Sequence, residues 1–248
     1  MARVAFVTGG TRGIGRAICE RLKSDGMRVA AGYSGNEEAA QACARELGVM
    51  VVKGNVGSFE DCDRAVRAVE AELGPVDVLV NNAGLALGLG KAPQADLSDW
   101  DTMIATNCTA LAHVTRAVVP GMVARGRGHV VNVGSIASTH AYAGGNVYGA
   151  SKAFVRQFSA NLRADLHGSG LRVTLVEPAA ARTEFSAVRF KGDDTRAEAV
   201  YQGFEPLSAQ DVANAVFWAL TQPQHVNVAV IELWPTAQAP GGPVYHRT

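Results

Sequence analysis

The 248-residue sequence has no surplus of either charge sign: Lys+Arg and Asp+Glu number 23 each. With no global field to attract a polyanion, composition excludes binding to nucleic acid or an anionic membrane through net charge. No apolar run approaches the roughly 18 residues that a membrane span needs. A basic-plus-apolar leader is also missing, because the chain enters a strand-like run at Arg3, and the expectation is a cytoplasmic protein. Cysteines are few. Cys19, Cys43, Cys62 and Cys108 show neither CxxC nor any other metal-type spacing, so no metal is expected. Three of them fall on apolar helical faces and read as small core residues in a reducing compartment. Internal repeats and linker-like composition are absent too, which leaves one domain over residues 1–248.

What the chain does have is regular alternation of strand-like and helix-like stretches. Arg3–Thr8 is a short apolar run closed by Thr8-Gly-Gly-Thr-Arg-Gly-Ile-Gly15, after which Ile14, Ala17, Ile18 and Leu22 give a helical face. Glycines 9, 13 and 15 therefore stand between a strand and a helix N-terminus, a spacing variant of the dinucleotide fingerprint. There, backbone N–H groups approach a pyrophosphate and the helix dipole favours it. The second strand, Met27–Tyr33, is followed by Gly32-Tyr-Ser-Gly-Asn36, where an NAD enzyme has an acidic residue about twenty residues on. The missing carboxylate and Arg12 in the glycine turn suit a ribose 2′-phosphate, so NADP is the expected cofactor.

Further along, Asn36 reads as a helix cap, and Ser58 with Asp61 and Ser98 with Asp101 read as capping boxes. The last of these opens a long helix to about Arg125 with Ile104, Asn107, Cys108, Leu111, Thr115 and Val118 inward. Asn81-Asn-Ala-Gly84 follows the fourth strand. An irregular, lid-like region runs over about 179–206, and a tail over 234–248 reads as an extended arm. The pattern predicts an α/β fold: one doubly wound parallel sheet of about seven strands with helices on both faces, Rossmann-type.

The chemistry is expected between Ser135 and Lys152. Tyr148 and Lys152 stand four apart near the start of a helix, whose apolar positions are Ala150, Phe154, Phe158, Leu162 and Leu166. An ammonium beside a phenol favours the phenolate and lowers the tyrosine pKa from its ordinary value of about 10. Ser135 follows the strand-like run 129–134, which places its hydroxyl at a strand's carboxyl end, where open α/β sheets bind ligands.

Taken together, the glycine turn, Asn81-Asn-Ala-Gly84, Asn107, Ser135, Tyr148-x-x-x-Lys152, and Pro178 with Thr183 resemble a classical short-chain dehydrogenase/reductase from end to end. Within that family, the chain from Thr106 onward is similar to NADP-dependent 3-hydroxy acid (serine or allo-threonine) dehydrogenases. The similarity rests on Tyr142–Phe158, Thr183–Asp193 and His225-Val-Asn227. The first eighty residues look more like acetoacetyl-CoA reductases, through Tyr33-Ser-Gly-Asn36 and Gly54-Asn-Val56. The resemblance implies Asn107, Ser135, Tyr148 and Lys152 as the catalytic set. Asn107 would kink its helix and hold a water that links Lys152 to solvent. For the cofactor it implies Gly9, Thr11, Arg12, Gly13, Ile14, Gly15, Tyr33, Ser34, Asn55, Val56, Asn82, Ala83, Gly84, Tyr148, Lys152, Pro178 and Thr183. Ser135, Tyr142, Tyr148 and Arg189 are expected at the substrate, a small 3-hydroxy acid. The family's packing and the aromatic tail point to a homotetramer. Two departures stand out: Ala179 replaces a usual glycine and Asn55 a usual aspartate.

Two competing functions follow. The N-terminal likeness implies an acetoacetyl-CoA or 3-oxoacyl reductase. A non-catalytic dinucleotide-binding regulator on this fold is expected to have lost Tyr or Lys, and this chain keeps both.

Overall fold

The computed structural model describes residues 2–54, 58–240 and 244–245. In chain order the first half contains β1 (Val4–Val7), α1 (Gly13–Ser24), β2 (Arg28–Tyr33), α2 (Glu37–Leu47), β3 (Met50–Lys53), α3 (Phe59–Leu73), β4 (Val78–Asn81), α4 (Leu97–Ile104) and α5 (Ala110–Arg125). The second half contains β5 (Gly128–Val133), α6 (Asn146–Asp165), β6 (Leu171–Pro178), β7 (Ala181–Arg182), α7 (Phe185–Arg189), α8 (Asp194–Ala199), β8 (Leu207–Ser208), α9 (Ala209–Thr221), β9 (Val230–Leu233), β10 (Gln238–Ala239) and β11 (Val244–Tyr245). Seven strands form one parallel sheet in the order β3-β2-β1-β4-β5-β6-β9. The strand order reverses between β1 and β4, and a crevice opens beyond their carboxyl ends at that switch.

Alternation along the strands builds the two halves of the core. Ala5, Val7, Val78 and Val80 face α1 and α9, packing with Ile18, Leu22, Val212 and Val216. Val4, Phe6 and Leu79 face the other way, against Val66 and Val69 of α3 and Val114 and Val118 of α5. Because both faces are covered, β1 is buried at every position, and its apolar run is continuous instead of alternating. Each fully buried Val, Leu or Phe side chain contributes about 1.5–3 kcal/mol.

Several elements differ from expectation. The helix after β4 starts at Leu97 and is capped by Asp96, whose carboxylate accepts from Ser98 N at 2.9 Å, so Ser98 and Asp101 form no capping box. One long helix becomes two, joined by a π-helical turn at Ala105–Thr109 that contains Asn107. Ile104 stands 46% exposed instead of inward, because that turn rotates the helix face ahead of it. Residues 179–206, expected to be irregular, contain α7 and α8 and the first strand of the β7–β8 pair. The expected extended arm folds back as the antiparallel pair β10–β11. Gln238 of that pair is buried and accepts from Ala180 N at 3.0 Å, and Trp234 packs edge-on against His140.

Candidate active site

The glycine turn leaves the N-terminus of α1 open. Asn36, Asp96, Asp193 and Ser208 cap α2, α4, α8 and α9 with their side chains. At α1 the cap residue is Arg12, which makes no such bond, and no acidic residue stands in the first turn. The free N–H groups and positive dipole end therefore suit an anion. The turn is also shaped for close approach. A Cβ on Gly15 would lie 2.1 Å from the Gly9 carbonyl oxygen, and Gly9 itself has φ +61°. Asn82 fixes this turn to the end of β4, donating from Nδ2 to the carbonyls of Thr8 (3.0 Å) and Gly9 (3.1 Å).

A cavity of about 760 Å³ runs from this turn to the start of α6 and under residues 179–201. It is lined by Gly9, Thr11, Arg12, Gly13, Ile14, Gly15, Tyr33 and Ser34 at one end. In the middle stand Asn82, Ala83, Gly84, Pro178 and Thr183, and Ser135, Tyr142, Tyr148, Lys152 and Arg189 close the far end. Of the expected residues, Asn55 and Val56 lie outside the described ones, and Asn107 sits behind the wall instead of on it. Arg12 is exposed on the rim and has no ion-pair partner among the described residues. The Tyr33 hydroxyl donates to Glu37 at 2.8 Å, an acid four residues beyond β2 that also pairs with Lys53 at 3.8 Å. A dinucleotide with an extra phosphate fits this set: an uncapped helix end, a glycine cradle and a free arginine.

At the far end, Ser135 caps a 3₁₀ turn, Ile136–Ser138, and its Oγ accepts from Ala137 N at 3.2 Å, leaving its hydrogen free to donate. Tyr148 and Lys152 are buried one turn apart on α6, and Lys152 Nζ lies 5.9 Å from the Tyr148 ring centre. Nζ donates to the Val133 carbonyl at 3.1 Å. Burial pulls the Lys152 pKa down to about 8, against support from Cys108 and Glu177. Tyr148 departs from the expected lowering. Burial pushes its phenol up, and the groups pulling it back down are Arg189 and the Ser135 hydroxyl. Asn107 joins the neighbourhood through backbone and serine. Its amide donates to Leu85 O and Ser151 Oγ, each at 2.9 Å, and accepts from Leu85 N at 2.9 Å. Those bonds hold the π-helical turn. A Cβ on Gly84 would sit 3.2 Å from Asn107 Oδ1 and 3.3 Å from Lys152 Nζ, so the backbone must pass between them bare.

The first three cations after Pro178, Arg182, Arg189 and Lys191, separate cleanly. Arg182 pairs with Glu198 at 3.4 Å and Lys191 with Asp99 at 2.9 Å. Arg189, at the end of α7, has no acidic partner among the described residues. Its Nη2 donates to the Tyr142 hydroxyl at 3.0 Å, and its guanidinium carbon lies 5.0 Å from the Tyr148 ring and 5.1 Å from that of Phe185. Its Nε is buried without a hydrogen-bond partner. A planar donor left partly unsatisfied beside a tyrosine hydroxyl matches a carboxylate. Phe185 and Gln238, which line the same cavity, were not singled out in the sequence. They sit on a five-residue helix and a two-residue strand, both too short to show periodicity.

Comparison with known proteins gives four findings. A family model described as short chain dehydrogenase matches residues 3–194. The NADP-dependent 3-hydroxy acid dehydrogenase YdfG of Salmonella typhi is 47% identical over 248 residues, 99% of this chain and all of that protein. The serine 3-dehydrogenase of Agrobacterium fabrum (strain C58) is 41% identical over 244 residues, covering 98% of this chain and 97% of that protein. Among solved structures, the closed form of serine dehydrogenase complexed with NADP+ superposes with a TM-score of 0.93 at 47% identity. That match covers 99% of this chain and 100% of the other.

Proposed function

Because the chain belongs to the short-chain dehydrogenase family, we propose that it is an NADP(H)-dependent oxidoreductase acting on the hydroxyl-bearing carbon of small 3-hydroxy acids. The observation that carries the substrate class is Arg189, an arginine free of acidic partners and directed at the proton-transfer tyrosine. The relatives named above point the same way, being 3-hydroxy acid and serine dehydrogenases. When bound, NADP supplies or accepts the hydride at its nicotinamide ring.

The chain's own residues divide the remaining work. Gly9, Thr11, Gly13, Ile14 and Gly15 present the α1 N-terminus to the pyrophosphate, and Arg12 takes the 2′-phosphate. Tyr33, Ser34, Asn55 and Val56 serve the adenosine half. Asn82, Ala83, Gly84, Pro178 and Thr183 serve the nicotinamide half. Tyr148 gives its proton to the substrate oxygen in reduction and removes it in oxidation. Ser135 donates a hydrogen bond to that oxygen and fixes its orientation. Lys152 holds the ribose hydroxyls and, as a cation, favours the phenolate. Asn107 keeps the π-helical turn open beside Lys152, where a water relays the proton onward. Arg189 and Tyr142 hold the carboxylate, and residues 179–206 act as a lid that excludes water.

The enzyme works as a cytoplasmic homotetramer in this reading. No helix among the described residues is long and apolar enough to cross a membrane. The half-exposed apolar stripe on α6, with Phe154 40% exposed, supports assembly with further copies. Initial rates at 340 nm test the whole. Free 3-hydroxy acids such as serine should be turned over with NADP more efficiently than 3-hydroxybutyryl-CoA. Efficient reduction of acetoacetyl-CoA with no activity on free acids would establish the thioester reductase instead, and inactivity on every hydroxyl compound would leave a binding protein.

A further inference from the structure

Tyr148, Lys152 and Arg156 stand at four-residue intervals on α6, so the reactive pair continues into a third polar group one turn on. Arg156 reaches Glu177, the residue before Pro178 at the carboxyl end of β6. Glu177 is fully buried, and its second oxygen accepts from the Ser138 hydroxyl, at the end of the 3₁₀ turn that Ser135 caps. The three segments that carry Ser135, the Tyr148–Lys152 pair and Pro178 therefore meet on one carboxylate. Room for it is built in, since a Cβ on Gly134 would lie 3.1 Å from Glu177 Cγ and 2.9 Å from Leu175 Cδ1. A buried carboxylate is costly unless paired and hydrogen-bonded, and both its oxygens are occupied here.

We propose that Glu177 is a positioning residue of the catalytic centre, tying the Ser135 turn to the helix that carries Tyr148 and Lys152. The inference rests on reading Tyr148 and Lys152 as the proton-transfer pair. Among the described residues, the charged and titratable groups around that pair are Cys108 from the π-helical turn, Tyr142 ahead of α6, Arg156 from α6, Glu177 from β6 and Arg189 from α7. Glu232 of β9, in register beside Glu177, reaches Arg156 at 3.5 Å from the outer side. Glu177 supports the protonated form of Lys152. Burial pushes its own carboxyl above the usual range, while the Ser138 hydroxyl and Arg156 pull it back.

The sign of the effect does not depend on which member of the pair titrates. Removing a nearby negative charge favours the deprotonated form of either Lys152 or Tyr148, so the pair's apparent pKa falls. Glu177→Gln keeps an acceptor for Ser138 and removes the charge. Its proton-linked limb of kcat against pH should move to lower pH by about half a unit or more. Glu177→Asp keeps the charge but shortens the reach to Ser138, and Ser138→Ala removes the hydroxyl. Both should lower kcat several-fold with the limb in place and KM for NADP little changed. Wild-type kcat and limb position in a folded Glu177→Gln protein would overturn the proposal. If that variant does not fold, unchanged kcat in both other variants would overturn it. A wild-type enzyme with no proton-linked limb would instead strike the function proposal itself.

Discussion

Helix α6 has two faces with opposite logic. Its inward face is Tyr148, Ser151, Lys152, Val155 and Ser159, four polar side chains to one apolar, all buried. Its other stripe is Ala150, Phe154, Phe158, Leu162 and Leu166, apolar throughout, yet no member is fully buried. An ordinary surface helix is arranged the other way round. The inversion separates two tasks. The polar groups are inside because the reaction needs water excluded around them, and each is held by the fold. Lys152 is tied to Val133, Ser151 to Asn107 and Ser159 to Asn132. The apolar stripe is only partly covered: Phe158 packs beside Leu111, Val155 and Leu175 and Leu162 against the α3–α5 half of the core, while Ala150 and Phe154 stand exposed, the part that a second copy would cover in the proposed tetramer. Phe154 and Phe158 stack at 5.7 Å, and Phe154 remains 40% exposed.

Substitutions on the two faces should fail differently. On the inner face, Tyr148→Phe removes the proposed proton carrier and keeps the ring's packing against Phe185. Turnover should fall by about 10² or more while the fold and its melting temperature persist. Near-normal turnover would remove the tyrosine from the mechanism. On the wall facing the adenosine end, Arg12→Ala should cost NADP about 1.5–3 kcal/mol in binding and leave NAD nearly untouched. Measured kcat/KM for both cofactors checks this, and equal losses would rule out the 2′-phosphate contact. On the outer face, Phe154→Glu should act on assembly: light scattering should report smaller species, with only a minor change in the activity of what remains folded. A Phe154→Glu protein of unchanged mass would show that the stripe is not an interface.

The same contrast explains what the sequence made legible. Short motifs at strand ends were readable because glycine, asparagine and serine there answer to local geometry. Gly9, Gly13 and Gly15, Asn82 and Ser135 all line the cavity, as the strand–turn–helix order predicts. The sheet followed from alternation alone. Inside-versus-outside was not readable on α6, because periodicity gives the spacing of a stripe but not which side the core lies on. Ile104 was misplaced for a related reason: the five-residue π-helical turn around Asn107 shifts the phase of the helix. Arg189 was expected at the substrate, but what sets it apart from Arg182 and Lys191 was not readable. Their partners, Glu198 and Asp99, are set by the packing of α8 and α4. Glu177 read as nothing more than the residue before a proline, since its three contacts come from segments 21 to 55 residues away, Arg156, Ser138 and Glu232.

The central claim, that the unpaired arginine over Tyr148 selects a carboxylate, is most directly tested by one ratio. It compares kcat/KM for a 3-hydroxy acid with kcat/KM for the matching neutral methyl ester, in the wild type and in Arg189→Ala. The account predicts a strong preference for the acid that collapses in Arg189→Ala, mainly through a raised KM for the acid, with the ester little affected. Equal losses on acid and ester, or a preference that survives the substitution, would contradict it.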